Sequence, residues 1–211
     1  MTHDMPTDAP KDTKRDMTRD IAALIGSRIC HDLISPVGAI SNGVELMAMS
    51  GAGTGPELSL ISESVDNANA RVKFFRIAFG MASVGQMTSR AEISGILNAI
   101  STPRLTYVWD PAEDLPREEV KLACLMLMCL ETALPRGGEI KVTYSTSQWK
   151  IRASSARLEP APDLWARLGS VTGTEGLKPS QVQFILAPLQ AAALGRRITQ
   201  GSGDGVISLM A

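Results

Sequence analysis

From Leu58 onward the apolar positions fall into a repeat. Leu58, Ile61, Val65, Ala68, Val72, Phe75 and Phe79 follow one another at intervals of 3, 4, 3, 4, 3 and 4. A helix advances about 100° per residue, so this spacing draws one apolar seam along a helix. Pro56 stands at the first helical position, where its missing N–H costs nothing, and Glu57 follows in the first turn. The stretch before it, from about Thr18 to Met49, is also helically spaced and ends in SGAGTG at 50–55. Two long helices joined by so short a turn form an antiparallel hairpin. A hairpin has two layers and leaves each long seam half exposed. Pairing two hairpins into a four-helix bundle buries both seams, so the pattern predicts a homodimer with Val65, Val72, Phe75 and Phe79 in its core. A hairpin covered by the rest of its own chain is the alternative.

The pattern changes near 86–91. A short helix, AEISGILNAIS, leads to an alternating strand, RLTYVWD (104–110), and then to the helix REEVKLACLMLMCLETAL (117–134). PRGG separates this helix from two strands in a hairpin, EIKVTYS (139–145) and WKIRAS (149–154). Helices are predicted at PDLWARL (162–168) and SQVQFILAPLQAAALG (180–195), before a closing hairpin, RRITQ–GSGDG–VISLMA. Helices alternating with strands around one small sheet give an α/β sandwich with helices on one face. The expected organisation is a disordered tail at 1–16, a helical hairpin at 17–89 and an α/β domain at 90–211.

Composition narrows the functions open to such a chain. Its 211 residues are 44% hydrophobic and 20% charged, with a formal net charge of -1. That balance gives no global case for nucleic acid or an anionic membrane, and scarce aromatics leave little for base stacking. Segment 122–134 is too short and too interrupted to span a bilayer. The polar, proline-containing start is no signal peptide, so the expected location is the cytoplasm. Cys30, Cys124 and Cys129 lie in apolar helical runs without metal-ligand spacing and read as buried small hydrophobes.

The sharpest chemistry lies in RICHDLISPVGAISNGVELM (28–47). With His31 at zero on a helical wheel, Ile29, Leu33, Val37, Ile40, Val44 and Met47 cluster about 160–240° away. Ser27, Arg28, Ser35, Gly38 and Asn42 lie near the histidine's own bearing. The ring is therefore expected to be exposed. The other histidine, His3, lies in the tail, so a shared metal site lacks partners. No serine or cysteine is visibly held against the ring as a hydrolytic nucleophile. What remains is the imidazole acting as its own nucleophile. Asp32 is placed to accept a hydrogen bond from Nδ1, which frees Nε2 and favours positive charge on the ring; ordinary surface charge is the plainer reading. Pro36 removes the N–H that would bond the Asp32 carbonyl and is expected to bend the helix below the ring.

HDLISP has the H-[D/E]-x-x-x-P form of the phosphoacceptor box of bacterial histidine kinases. The fuller stretch HDLISPVGAISNGVELM resembles the ChpT family of alphaproteobacterial histidine phosphotransferases. The resemblance implies a dimeric helical hairpin joined to a degenerate version of the kinase ATP-binding domain. It implies a phosphorelay between the receiver domain of a hybrid kinase and response regulators of cell-cycle control. His31 then matches the phosphoacceptor, Asp32 the adjacent acid and Pro36 the helix-bending proline. Arg28, Ser35, Asn42, Arg71 and Arg76 are candidate partner contacts on the two helices. No cofactor of its own is expected, because Mg²⁺ and a lysine come with the receiver.

The kinase likeness raises the question of ATP. Kinase domains carry an asparagine for Mg²⁺, a D-x-G-x-G loop for adenine and a glycine-rich lid. In this chain the asparagine position falls near Cys129, a poor ligand for a cation that wants oxygen. The adenine strand reads WKIRASSARLEP, with neither the aspartate nor the glycines, and the lid segment GSVTGTEGLKPS (169–180) lacks the expected rhythm. ATP binding is therefore expected to be lost, with Asn98 and Glu131 as weak displaced substitutes. An active kinase with an unusual nucleotide loop and a non-catalytic dimeric scaffold or inhibitor that docks receivers are the alternatives.

Overall fold

A computed structural model describes residues 9–50 and 55–211; residues 1–8, with His3, and the turn at 51–54 lie outside the described residues. The chain opens with two long helices, α1 (Ala9–Ser50) and α2 (Pro56–Ala78). α1 begins within the stretch expected as a tail. Its Pro10 falls in the first turn, where a proline is tolerated because no backbone partner is lost. The helix then runs through Pro36 without interruption.

The remaining elements are β1 (Met87–Thr88), α3 (Arg90–Ile100), β2 (Leu105–Trp109), β3 (Leu115–Pro116), α4 (Arg117–Glu131), β4 (Gly138–Ser145), β5 (Gln148–Ser154), α5 (Pro162–Ala166), α6 (Gln183–Ala193), β6 (Thr199–Gly203) and β7 (Val206–Met210). Five strands form a sheet in the order β2-β4-β5-β7-β6. β2 and β4 are parallel, joined by a crossover through α4, and every other pairing is antiparallel. The two-residue strands β1 and β3, which carry no readable alternation, pair separately. β5 alternates exposed and buried along its whole length, so one face of the sheet takes the helices and the other faces solvent. Gly137, with φ of 82°, passes so close to the Arg104 carbonyl that a Cβ would lie 1.9 Å from that oxygen; this lets β4 enter beside β2.

The α/β unit is built around α4, whose residues Leu122 to Leu130 are all 0–1% exposed. The core does not stop at the hairpin. Phe74, Phe75, Ile77 and Ala78 of α2 belong to the same continuous cluster. The end of α2 is also held electrostatically. Arg117 Nη2 donates to the Arg76 carbonyl at 2.8 Å, and Lys121 Nζ donates to the Gly80 carbonyl at 2.8 Å. Two cations from α4 thus hold a carbonyl in the last turn of α2 and one just beyond its end. Burial, with Arg117 beside it, pulls the Lys121 pKa down.

Packing within the hairpin departs from the simplest reading of the wheel. The apolar stripe set opposite His31 is covered only in part, with Ile29, Leu33, Ile40 and Met47 half-buried. α1 approaches α2 through the neighbouring small-residue face, where Pro36 and Gly43 are buried. A Cβ on Gly43 would lie 2.5 Å from Ile61 Cγ1, so glycine allows this close approach. Val37 and Val44 of the stripe stay 57% and 54% exposed, with Leu58, Val65 and Val72 of α2 at 46%, 38% and 49%. The seam of α2 is therefore divided. Phe75 and Phe79, expected in a bundle core, stack on each other at 5.4 Å and pack into the chain's own core. The cysteines divide too: Cys124 and Cys129 are buried, whereas Cys30, expected inside, is exposed on α1.

Candidate functional site

The site starts from consecutive residues on α1. The His31 side chain is 79% exposed, and its Nδ1 lies 3.0 Å from Asp32 Oδ1. A carboxylate can only accept, so this bond requires a ring proton on Nδ1, and in the neutral ring it leaves Nε2 with a free lone pair. Asp32 is much less exposed, and its second oxygen, Oδ2, accepts from Arg28 Nε at 2.8 Å. Arg28 sits one turn earlier on the helix, the spacing at which side chains meet. Its Nη1 donates to the backbone carbonyl of Ser180 at 2.8 Å. Arg28, expected to face a partner, has a side chain only 14% exposed and is committed to bonds within its own chain.

Beside the ring, α1 and α2 enclose an open groove of about 370 Å³. His31, Asp32, Ser35 and Pro36 line one wall; Leu60, Glu63, Ser64, Asn67 and Arg71 line the other. Of the residues assigned to partner contact, Ser35 and Arg71 reach this groove, with Arg71 Nε bonded to Asn67 Oδ1 at 2.9 Å. Asn42 is exposed on α1 but does not line it. Arg76 lies off the groove, 3.8 Å from Glu92 of α3. The groove also contains residues that the sequence reading passed over, Glu63, Ser64 and Asn67, which lie between the seam positions of α2. Outside the groove, Ile34, one turn from the histidine, is 70% exposed, an apolar residue open to solvent that the sequence reading also passed over. The wheel sets it about 60° from His31, a signal that was available.

Beside Asp32, a cavity of about 130 Å³ lies where the hairpin meets the α/β unit. Arg28, Asp32 and Arg71 border it on one side, Tyr107 and Glu131 on the other. Tyr107 donates its hydroxyl to Glu131 Oε1 at 2.8 Å. Burial pushes the Glu131 carboxyl up, opposed by the Tyr107 bond and by the nearby Arg28 and Arg71. Burial and the Glu131 charge push the Tyr107 phenol up as well.

The positions that the sequence resemblance sets against a kinase nucleotide site are occupied as follows. Cys129 is fully buried in α4, and burial raises its thiol pKa well above the usual range. Asn98 is exposed on α3, while Glu131 is engaged with Tyr107. The segment at 169–180 is bound down: Arg167 donates to the Gly173 carbonyl at 2.9 Å and to the Glu175 carbonyl at 2.8 Å. Thr174 Oγ1 donates to Asp20 Oδ2 of α1 at 3.1 Å. Among the described residues no group of three or more His, Cys, Asp or Glu side chains could hold a metal ion. Nor is any described helix long and apolar enough to cross a membrane.

Known proteins are similar to this chain in sequence and in fold. A family model described as the histidine phosphotransferase C-terminal domain matches residues 90–204. The protein phosphotransferase ChpT of Brucella abortus (strain 2308) is 42% identical over 186 residues, covering 85% of this chain and 88% of that one. A solved structure described as a bacterial phosphotransferase aligns with a TM-score of 0.73 at 30% identity, covering 90% of this chain and 95% of that one. With family model, curated relative and solved fold in agreement, the chain belongs to the ChpT family of histidine phosphotransferases.

Proposed function

We propose that the protein relays phosphoryl groups between the receiver domain of a hybrid histidine kinase and response-regulator receivers, with His31 as the transient carrier. The observation that carries this reading is an exposed imidazole whose Nδ1 is bonded to a carboxylate at 3.0 Å, leaving Nε2 as the nucleophile. The Nε2 lone pair attacks phosphorus of a receiver's phospho-aspartate. The N–P bond forms as the acyl P–O bond breaks, and the electron pair leaves on the aspartate carboxylate. The ring keeps its Nδ1 proton and becomes cationic during attack, and Asp32 offsets that charge. In the return step an aspartate oxygen attacks, the N–P bond breaks, and its electron pair returns to Nε2. A docked receiver supplies Mg²⁺ and a lysine to neutralise the phosphoryl oxygens. This chain contributes position, through the groove formed with Ser35, Asn67 and Arg71.

The open apolar face supports assembly as a homodimer. Val37, Val44, Leu58, Val65 and Val72 line the two helices at 38–57% exposure, and a second hairpin would cover them in a four-helix bundle. The helical hairpin and the α/β unit are read as the phosphotransfer and the degenerate nucleotide-binding-like parts. Loss of ATP binding fits the buried Cys129 and the tethered 169–180 segment.

The test is incubation with a phosphorylated receiver, followed by a search for acid-labile label on this chain. His31→Ala should abolish acceptance while leaving circular dichroism and melting nearly unchanged, because an exposed side chain away from caps moves stability by less than about 0.5 kcal/mol. Full acceptance by a folded His31→Ala protein would overturn the assignment. Asp32→Asn should slow transfer without eliminating it.

A further inference from the structure

The hydrogen bonds behind His31 do not end on its own helix. Gln183, fully buried at the start of α6, donates from Nε2 to the Ser180 carbonyl at 3.0 Å and to the Met128 carbonyl of α4 at 3.4 Å. Ser180 lies in a single 3-10 turn, Pro179–Gln181. That turn is closed by Lys178 N–H donating to Gln181 Oε1 at 3.0 Å and Gln181 N–H donating to the Lys178 carbonyl at 2.8 Å. The Ser180 carbonyl then accepts Arg28 Nη1, Arg28 Nε holds Asp32 Oδ2, and Asp32 Oδ1 holds His31 Nδ1. Every link is 2.8–3.0 Å from Gln183 to the ring, apart from the longer anchor on Met128.

We infer that Arg28 is a positioning residue for phosphoryl transfer, through which the α/β unit fixes the Asp32 carboxylate and hence the tautomer of His31. This rests on the relay proposed above and assigns its α/β unit a task at the reacting atom. The geometry argues for it in two ways. An aspartate beside an exposed histidine on a helix surface has several rotamers open to it, and only some reach Nδ1. The planar guanidinium removes that freedom because its two bonds are set at a fixed angle, one to each unit. Arg28 is also a poor phosphate contact, since it is 14% exposed and two of its donor nitrogens are already used.

The experiment uses the full chain labelled with ¹⁵N histidine. His31 is distinguished from His3 by the signal lost in His31→Ala. In the neutral ring, wild-type His31 should carry its proton mainly on Nδ1. Arg28→Met should shift the ring toward the Nε2–H form that a free imidazole prefers, with receiver affinity retained. Phosphoryl acceptance by Arg28→Met should fall about tenfold, the scale of removing an outer partner of a functional side chain. Added to Asp32→Asn, the same change should cost no more than about twofold, because its target is already altered. Arg28→Lys, which keeps charge without the fork, should resemble Arg28→Met and stands in for it should that variant fail to fold. A wild-type ring mainly protonated on Nε2 overturns the inference. So does wild-type transfer by Arg28→Met, or a full tenfold loss on top of Asp32→Asn. Wild-type protein that accepts no phosphoryl group from any receiver refutes the relay itself. The tautomer and its dependence on Arg28 are read without transfer, so the two failures are distinguishable.

Discussion

α4 and the outer part of the hairpin are both rich in aliphatic side chains, yet they have opposite fates. On α4, Leu122, Leu125, Leu127 and Leu130 are all 0% exposed, enclosed by the sheet, α6 and the end of α2. On the hairpin, Val37, Val44 and Val72 keep roughly half their surface in water. The difference lies in what surrounds each helix. Complete burial of a large aliphatic side chain contributes about 1.5–3 kcal/mol. α4 gains this from its own chain, whereas the valines of α1 and α2 gain it only when another surface arrives. One region makes the fold; the other remains available for association, and the reactive histidine stands beside it.

The same substitution should therefore act differently in the two places. Leu127→Asp buries an unpaired carboxylate in the middle of α4 and should remove the cooperative melting transition, a loss of several kcal/mol. Phe75→Ala tests where the seam of α2 changes role. Phe75 is 6% exposed within the chain's own core, so its truncation should cost about 3–5 kcal/mol in denaturant unfolding even in a monomer. Val72→Asp, three residues earlier on the seam, should leave far-ultraviolet circular dichroism intact and turn a dimer into a monomer by sedimentation at micromolar concentration. A folded Val72→Asp dimer would show that the open face is not the association surface.

The smallest effect concerns Glu131, at the border of the two regions. Burial raises its folded pKa above the unfolded value, so the folded state binds the proton more tightly and stability falls as pH rises through that pKa. Glu131→Gln keeps an oxygen to accept the Tyr107 hydroxyl and removes the charge. It should be slightly more stable than wild type at pH 7.5, with a flatter pH dependence of melting above the ordinary carboxylate range. A variant less stable at neutral pH would show that Arg28 and Arg71 compensate the charge more than burial penalises it.

The outline of the fold was legible because its signals are local. Turn residues bracketed the hairpin of β4 and β5, expected at 139–145 and 149–154 and found at 138–145 and 148–154. The exposure of His31 followed from the wheel, which needs only one helix to be right. Arg28 was legible in part, since Asp32 four residues on is its natural acceptor. Ser180 was not: a backbone carbonyl 152 residues away leaves no trace in side-chain pattern. The α1–α2 contact was also hidden, because Pro36, Ala39 and Gly43 carry a weak hydrophobic signal beside the stronger stripe of Val37 and Val44. Small residues mark close approach, but periodicity weights size. The end of the seam at Phe75 was misassigned for a similar reason, since spacing shows which residues share a face but not which surface covers them.

The core shared between α2 and the α/β unit has a consequence for how partners meet this molecule. Phe74, Phe75, Ile77 and Ala78 act as a rivet, so the hairpin is not a cassette that can be cut away at residue 90 and kept. With Arg117 and Lys121 pinning the helix end, the offset between the histidine and the exposed face of the sheet becomes a ruler instead of a hinge. A protein that grips both surfaces must match that fixed span, which makes the distance itself a criterion of admission.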